Sequence, residues 1–144
     1  MKFFAYVAAA TSLMVVGAVA DPIADRKANM RERGALMRVL APVAQGQQAF
    51  DAATVLDALE KLSANAQAAA ENVATLWPEG SDSGDTKAAA TIWSDPEGFQ
   101  AANDKFAADA AAAVEVAPQD LAAFQAVFGP AAGNCGTCHE AYRN

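Results

Sequence analysis

The chain has 144 residues, 53% of them hydrophobic and 19% charged, with ten basic residues against seventeen acidic ones and a formal charge of −7. That length suits one domain. The acidity argues against nucleic acid or an anionic membrane surface as partner.

Residues 1–20 read as a secretory signal, with Lys2 near the start, an apolar stretch from Phe3 to Val19, and Ala18-Val19-Ala20 as a small-residue cleavage site. The domain then spans 21–144, where nine basic residues face seventeen acidic ones for a formal charge of −8. A retained anchor is the alternative, but the apolar run is at the short limit for a span. No later stretch resembles a transmembrane helix, so no membrane association is expected after cleavage. In a bacterium such a signal predicts a periplasmic protein. The acidic balance is compatible with a soluble carrier meeting basic patches on redox partner proteins.

The remainder is rich in alanine, with its helix breakers gathered into a few places, which favours an all-α fold. A first helix is predicted from Asp21-Pro22, a cap followed by proline in the first turn, to about Ala44 before Gly46. Ile23, Met30, Met37 and Ala44 recur along it every seventh residue, with Gly34 and Ala41 beside them. A second helix starts at Asp51 and presents Val55, Leu59, Leu62, Ala66, Ala69, Val73 and Leu76 in steps of three and four. Trp77-Pro78 ends it and opens a polar, glycine-rich loop. Ser94 and Glu97 form a capping-box pattern at the start of a third helix, whose face is Phe99, Ala102, Phe106, Ala110 and Ala113. Pro118 starts a fourth, with Leu121, Phe124, Phe128, Ala131, Cys135, Cys138 and Tyr142 on one stripe. Gly129-Pro130 is expected to bend it or begin a fresh turn. Four amphipathic helices with two short connections and one longer one predict an antiparallel four-helix bundle, an architecture that holds cofactors in its core.

The chemistry is concentrated in Cys135-Gly136-Thr137-Cys138-His139, which contains both cysteines and the only histidine. This is the C-x-x-C-H spacing of c-type haem attachment. On a helix, side chains three and four positions apart share a face. Two thiols can add to the vinyl groups of one haem while the imidazole of His139 reaches its iron. Tyr142 and Arg143 follow on the same side, where Arg143 can bond a haem propionate, line the proximal pocket, or simply complement the helix C-terminus. A disulfide across so short a loop leaves His139 unexplained. A thioredoxin-like pair needs strands that the chain does not offer. A zinc site needs about four ligands, and no second Cys/His cluster exists. Haem attachment outside the cytoplasmic membrane and the export signal support each other.

The chain resembles the class II cytochromes c, comprising the cytochrome c-prime and cytochrome c-556 types. The likeness covers essentially all of 21–144. It rests on Cys135-x-x-Cys138-His139-x-x-Tyr142-Arg143, on Arg26-x-x-x-Met30, on the turn from Gly46 to Phe50-Asp51, and on Ile92-Trp93. It implies a four-helix bundle with one covalently bound haem c, often as a homodimer in the periplasm. Arg26 matches an arginine facing a haem propionate, and Thr86 falls at a loop position contacting the haem edge. Lys27 departs from the glutamine often found there and is assigned no role. Met30 matches the distal residue, at which the two types diverge.

In the c-prime type that residue is an apolar blocker, leaving five-coordinate iron able to bind nitric oxide or carbon monoxide. In the c-556 type it is a methionine that ligates the iron. Met30 and Met37 are the two thioethers left after signal removal, and Met30 followed by Arg31 and Gly34 looks more like the c-556 pattern. The expected function is therefore a one-electron carrier with iron between His139 and Met30, the thioether raising the reduction potential. A gas-binding protein is the alternative, and methionine as adaptable core filler the plain one. An enzyme is not expected, since a peroxidase-like site wants a distal acid-base group and there is no second histidine. A haem-free helical interaction module is the remaining class.

Overall fold

The computed structural model describes residues 21–144, so the expected signal at 1–20 lies outside the described residues. Four long helices, α1 (Pro22–Ala44), α2 (Ala52–Glu71), α5 (Pro96–Val116) and α6 (Leu121–Tyr142), form the all-α four-helix bundle. Two single-turn helices, α3 (Val73–Leu76) and α4 (Thr91–Ser94), bracket the long middle loop.

Side-chain caps start each long helix by accepting otherwise unpaired N–H groups. Asp21 accepts from Ile23 and Ala24, and Asp51 accepts from Thr54 at 2.8 Å. Asp95, rather than the expected Ser94, caps α5 through Gly98 N–H at 3.1 Å. The residue before a proline is driven out of the helical region. Asp95 therefore becomes the cap of a helix whose first residue is Pro96, while Ser94 closes α4. Asp120 likewise caps α6 through Ala123 N–H at 2.8 Å, so that helix starts after Pro118, which is fully buried in the turn. The second helix breaks at Asn72 instead of reaching Trp77, leaving Val73 and Leu76 in the separate turn α3.

Gly129-Pro130 neither ends nor restarts α6, which is assigned helix throughout. Pro130 and Ala126, whose carbonyl loses its helical donor, both lie at the surface, where the carbonyl is open to solvent.

The helices are arranged in the ring order α1, α2, α5, α6. Three of the seams are closely packed, whereas α1 and α6 touch least. The main core joins Leu40 and Val43 of α1, Leu59 and Leu62 of α2, Phe106 of α5, and Phe124 and Phe128 of α6. Phe50 and Phe124 meet at 6.2 Å between ring centroids, and Phe124 stacks on Phe128 at 5.0 Å. A second, smaller core of Trp77, Ile92 and Phe99 packs against Cys138, Tyr142 and Trp93. Phe99 makes edge contacts with Trp77 at 4.9 Å and Tyr142 at 5.1 Å. Aromatic geometry thus ties the start of α5 to the end of α6.

Candidate functional site

A cavity of about 760 Å³ opens between α1, α6 and the middle loop. It brings together every residue singled out in the sequence: Arg26 and Met30 from α1, Thr86 from the loop, Cys135, Cys138 and His139 from α6, and Arg143 just after it. The middle of the α1 stripe, Met30, Gly34 and Met37, is therefore the wall of a cavity, while Ala41 and Ala44 pack against the main core. Met30 and Met37 are half-buried there, while the fully packed residues of that helix are Leu40 and Val43. Met37 also packs against the main core, which leaves Met30 as the thioether committed to the cavity alone.

Cys135 and Cys138 are free, half-buried thiols one helical turn apart. The short disulfide weighed above is not formed. Burial pushes both thiols up, and the nearby Arg33 guanidinium partly offsets this. His139 is pushed down by partial burial, then by the charges of Arg143 and Arg33. A lowered value favours the neutral imidazole, the form able to ligate a metal.

Arg26 is 4% exposed, although it is a charged residue on an otherwise amphipathic helix. Its four terminal N–H donors reach Leu76 O (3.3 Å), Ser81 Oγ (2.9 Å), Ser81 O (2.6 Å) and Thr86 Oγ1 (2.8 Å). Arg26 and Thr86, both matched through the family resemblance, are thus bonded to each other. All four acceptors are neutral, and among the described residues no carboxylate pairs with Arg26. Burial lowers its pKa, with Asp21 acting in the opposite sense.

Thr86 Oγ1 also accepts from Ala88 N–H at 3.1 Å. The far end of the loop is tied to α6: Ala89 N–H donates to Tyr142 O at 3.0 Å, Asn144 N–H to Lys87 O at 2.9 Å, and Thr91 Oγ1 to Ala141 O at 2.7 Å. One loop therefore latches the helix bearing the thiols to the helix bearing Met30.

Sequence reasoning missed Arg33. It lies over the Phe106 ring at 4.5 Å, donates through Nε to Asn65 Oδ1 at 3.0 Å and bonds Asn29 Oδ1 at 3.2 Å. Its spacing was a readable signal, since Arg26, Met30, Arg33 and Met37 follow the 4-3-4 steps of one helical face.

A bundle of this topology with paired thiols and a histidine on its last helix defines a c-type cytochrome, in which the polypeptide bonds its haem covalently. Residues 21–143 match the family described as Cytochrome C', and the chain belongs to that family, the class II cytochromes c. Cytochrome c-556 of Agrobacterium fabrum is 34% identical over 132 residues, covering 90% of this chain and 87% of that protein. Cytochrome c' of Rhodopseudomonas palustris is 32% identical over 143 residues, covering 95% and 94%. The solved structure of cytochrome c' from Rhodopseudomonas palustris superposes with a TM-score of 0.79 at 32% identity, covering 88% of this chain and 98% of that one. A nitric oxide complex of a cytochrome c prime variant from Alcaligenes xylosoxidans gives 0.72 at 28% identity, covering 85% and 94%.

The family implies covalently bound haem c, and the residues present fit such a group. The thiols and imidazole share a cavity of suitable size for a cofactor. Among the described residues the buried Arg26 charge has no ion-pair partner, which suits the carboxylates that haem carries. Gly34 lines the same wall, and a Cβ built there meets only the tip of Arg38, at 3.8 Å. Its smallness widens the cavity rather than relieving the chain's own packing.

Proposed function

We propose that this protein is a periplasmic one-electron carrier of the c-556 type, with His139 and Met30 as the axial ligands of its haem. Bound haem supplies reversible one-electron exchange at iron. Cys135 and Cys138 form the two thioether bonds, and the neutral imidazole of His139 provides the proximal ligand. Arg26 holds positive charge beside the group while clasping the loop through Ser81 and Thr86, and Arg143 lies at the cavity edge. Among the described residues no helix is long and apolar enough to cross a membrane, which is compatible with a protein that works free in the periplasm.

The observation behind the methionine assignment is that Met30 faces the cavity without joining the core, whereas Met37 is shared with it. A thioether opposite histidine raises the reduction potential and keeps coordination constant between oxidation states. The test is optical spectroscopy of oxidised and reduced protein. The expected wild type is low-spin with a ferric sulfur-to-iron charge-transfer band, abolished in Met30→Ala and retained in Met37→Ala. A high-spin wild type refutes the assignment.

The second reading is a five-coordinate protein that binds nitric oxide or carbon monoxide. It is favoured by the apolar wall of Met30, Met37 and Phe106 and by the nitric oxide complex of a structural neighbour. Rapid carbon monoxide binding to the reduced protein, with no internal ligand displaced, supports it instead.

A further inference from the structure

The chain is acidic overall, yet its positive charge is gathered in one place. Of the nine basic residues between 21 and 144, six line the cavity: Arg26, Lys27, Arg31, Arg33, Lys87 and Arg143. Asp85 is the single carboxylate among the lining residues, and it is paired with Lys27. Elsewhere Lys61 and Lys105 are each neutralised one turn away, by Asp57 and Asp109 at 2.7 Å. Arg31, Lys87 and Arg143 are exposed, and none forms an ion pair among the described residues. They come from three different elements, the face of α1, the middle loop and the end of α6, and converge only because the fold brings those elements to one mouth. The two carboxylates of haem reduce this charge without reversing it.

We propose that this mouth is the docking face for a redox protein presenting a cluster of carboxylates, so that the chain meets its partner through this cationic face. This deepens the electron-carrier reading and rests on it. It also reverses what the formal charge of −8 suggests by itself. Fields from a cluster of like charges steer encounter at the patch even when the whole molecule has the opposite sign. The Debye length is about 30 Å at 0.01 M, where the whole acidic surface is felt, and about 10 Å at 0.1 M, so near 0.1 M the local patch rather than the distant acidic surface governs approach to the cavity.

The test uses the reduced haem-loaded protein and stopped-flow oxidation by ferricyanide, which takes one electron from the ferrous protein to give ferrocyanide and the ferric form. A cationic cobalt(III) complex serves as the opposite probe. Raising ionic strength from 0.1 to 0.5 M is expected to slow the ferricyanide reaction about threefold, while the cobalt reaction does not slow. Poly-L-glutamate at 0.1 M ionic strength should compete with ferricyanide. The double variant Arg31→Glu/Lys87→Glu removes two exposed cations that make no side-chain hydrogen bonds among the described residues, and should flatten the salt dependence and abolish the competition. The control Lys61→Glu/Lys105→Glu changes net charge equally, away from the cavity, and should leave both intact.

A ferricyanide rate that rises with salt overturns the proposal, as does a wild-type slope surviving the double variant. Salt-sensitive binding to phosphatidylglycerol vesicles without competition by poly-L-glutamate would overturn it in favour of a membrane surface. If neither probe oxidises the protein, the carrier reading itself fails and the proposal with it, a result distinct from a wrong-signed salt dependence.

Discussion

Replacing Arg26 with methionine should loosen the middle loop before it loosens the bundle. The substitution removes a guanidinium whose four bonds go to Leu76 O, Ser81 Oγ, Ser81 O and Thr86 Oγ1. Two of those acceptors have other partners. Ser81 Oγ still donates to Pro78 O at 2.8 Å, and Thr86 Oγ1 still accepts from Ala88 N–H at 3.1 Å. The carbonyls of Leu76 and Ser81 lose their side-chain donor. Orphaning a part-buried acceptor costs roughly 1–3 kcal/mol, so the two together cost roughly 2–6 kcal/mol. Relief of guanidinium burial and access of water to a surface loop return part of that, leaving a net loss of about 2 kcal/mol. Urea unfolding of the haem-loaded protein measures the sum, and hydrogen exchange across residues 79–87 measures its location. Exchange there should accelerate more than in α2 or α5, because local opening draws on the contacts that were removed. Arg26→Lys keeps the charge but offers a point ammonium with three donors in place of a planar fork, and should lose most of the same stability. Full rescue by lysine, or unchanged exchange in the methionine variant, would refute the clasp.

Ala117 closes α5 with φ at 44°, a left-handed conformation that strains any residue with a Cβ. Ala117→Gly should raise the unfolding free energy measured in urea, by about 0.5–1 kcal/mol once the glycine's greater unfolded-state freedom is discounted. At Gly98 a Cβ would collide with the Asp95 carboxylate and lie 2.7 Å from the Tyr142 hydroxyl. Gly98→Ala should therefore break the 3.0 Å Tyr142–Asp95 bond, cost about 1–3 kcal/mol and alter the near-ultraviolet circular dichroism. The carboxyl of Asp109 is held below its ordinary 3.8 by hydrogen bonds from Lys105 and Asn134. A depressed folded value means that its stabilisation is present at neutral pH and fades as pH falls below about 4. Asp109→Asn should thus be less stable than wild type at pH 7 by urea titration, with the gap narrowing at pH 3.

The helices were legible because their signals are local. Asp21 followed by Pro22, Asp51 ahead of a 4-3-4 stripe, and the thiols spaced for one face each specify structure within a turn or two. The misplaced starts came from treating a capping-box pattern at Ser94 and a proline at Pro118 as sufficient. Pro96 fixes the cap one residue later than Ser94, and the Asp120 carboxylate outcompetes Pro118 by satisfying a free N–H. Pro130 begins no fresh turn, since α6 runs through it. A proline breaks a helix when its orphaned carbonyl is buried, and this one faces water. Arg26 was placed in the cavity by resemblance, but its bonds to Ser81 span 55 positions, a pairing that no window of sequence reveals. Arg33 was passed over because an arginine on an apolar stripe reads as a solvated interruption.

That interruption is explained by what surrounds it. The wall between α1 and α6 places two arginines where bundle cores place leucine, and both are held by neutral groups. Arg26 bonds carbonyl and hydroxyl oxygens, and Arg33 bonds two asparagine side chains and covers an aromatic ring. Carboxylate partners would have secured the same side chains and cancelled their fields. Dipoles secure them and leave the charge in force, at a cost in desolvation that shows in the lowered pKa of both residues. A positive field in a cavity wall stabilises whichever state of a bound redox centre has the lower positive charge, which for haem iron is the reduced one. Arg26 and Arg33 would therefore bias a haem held in this cavity toward keeping its electron.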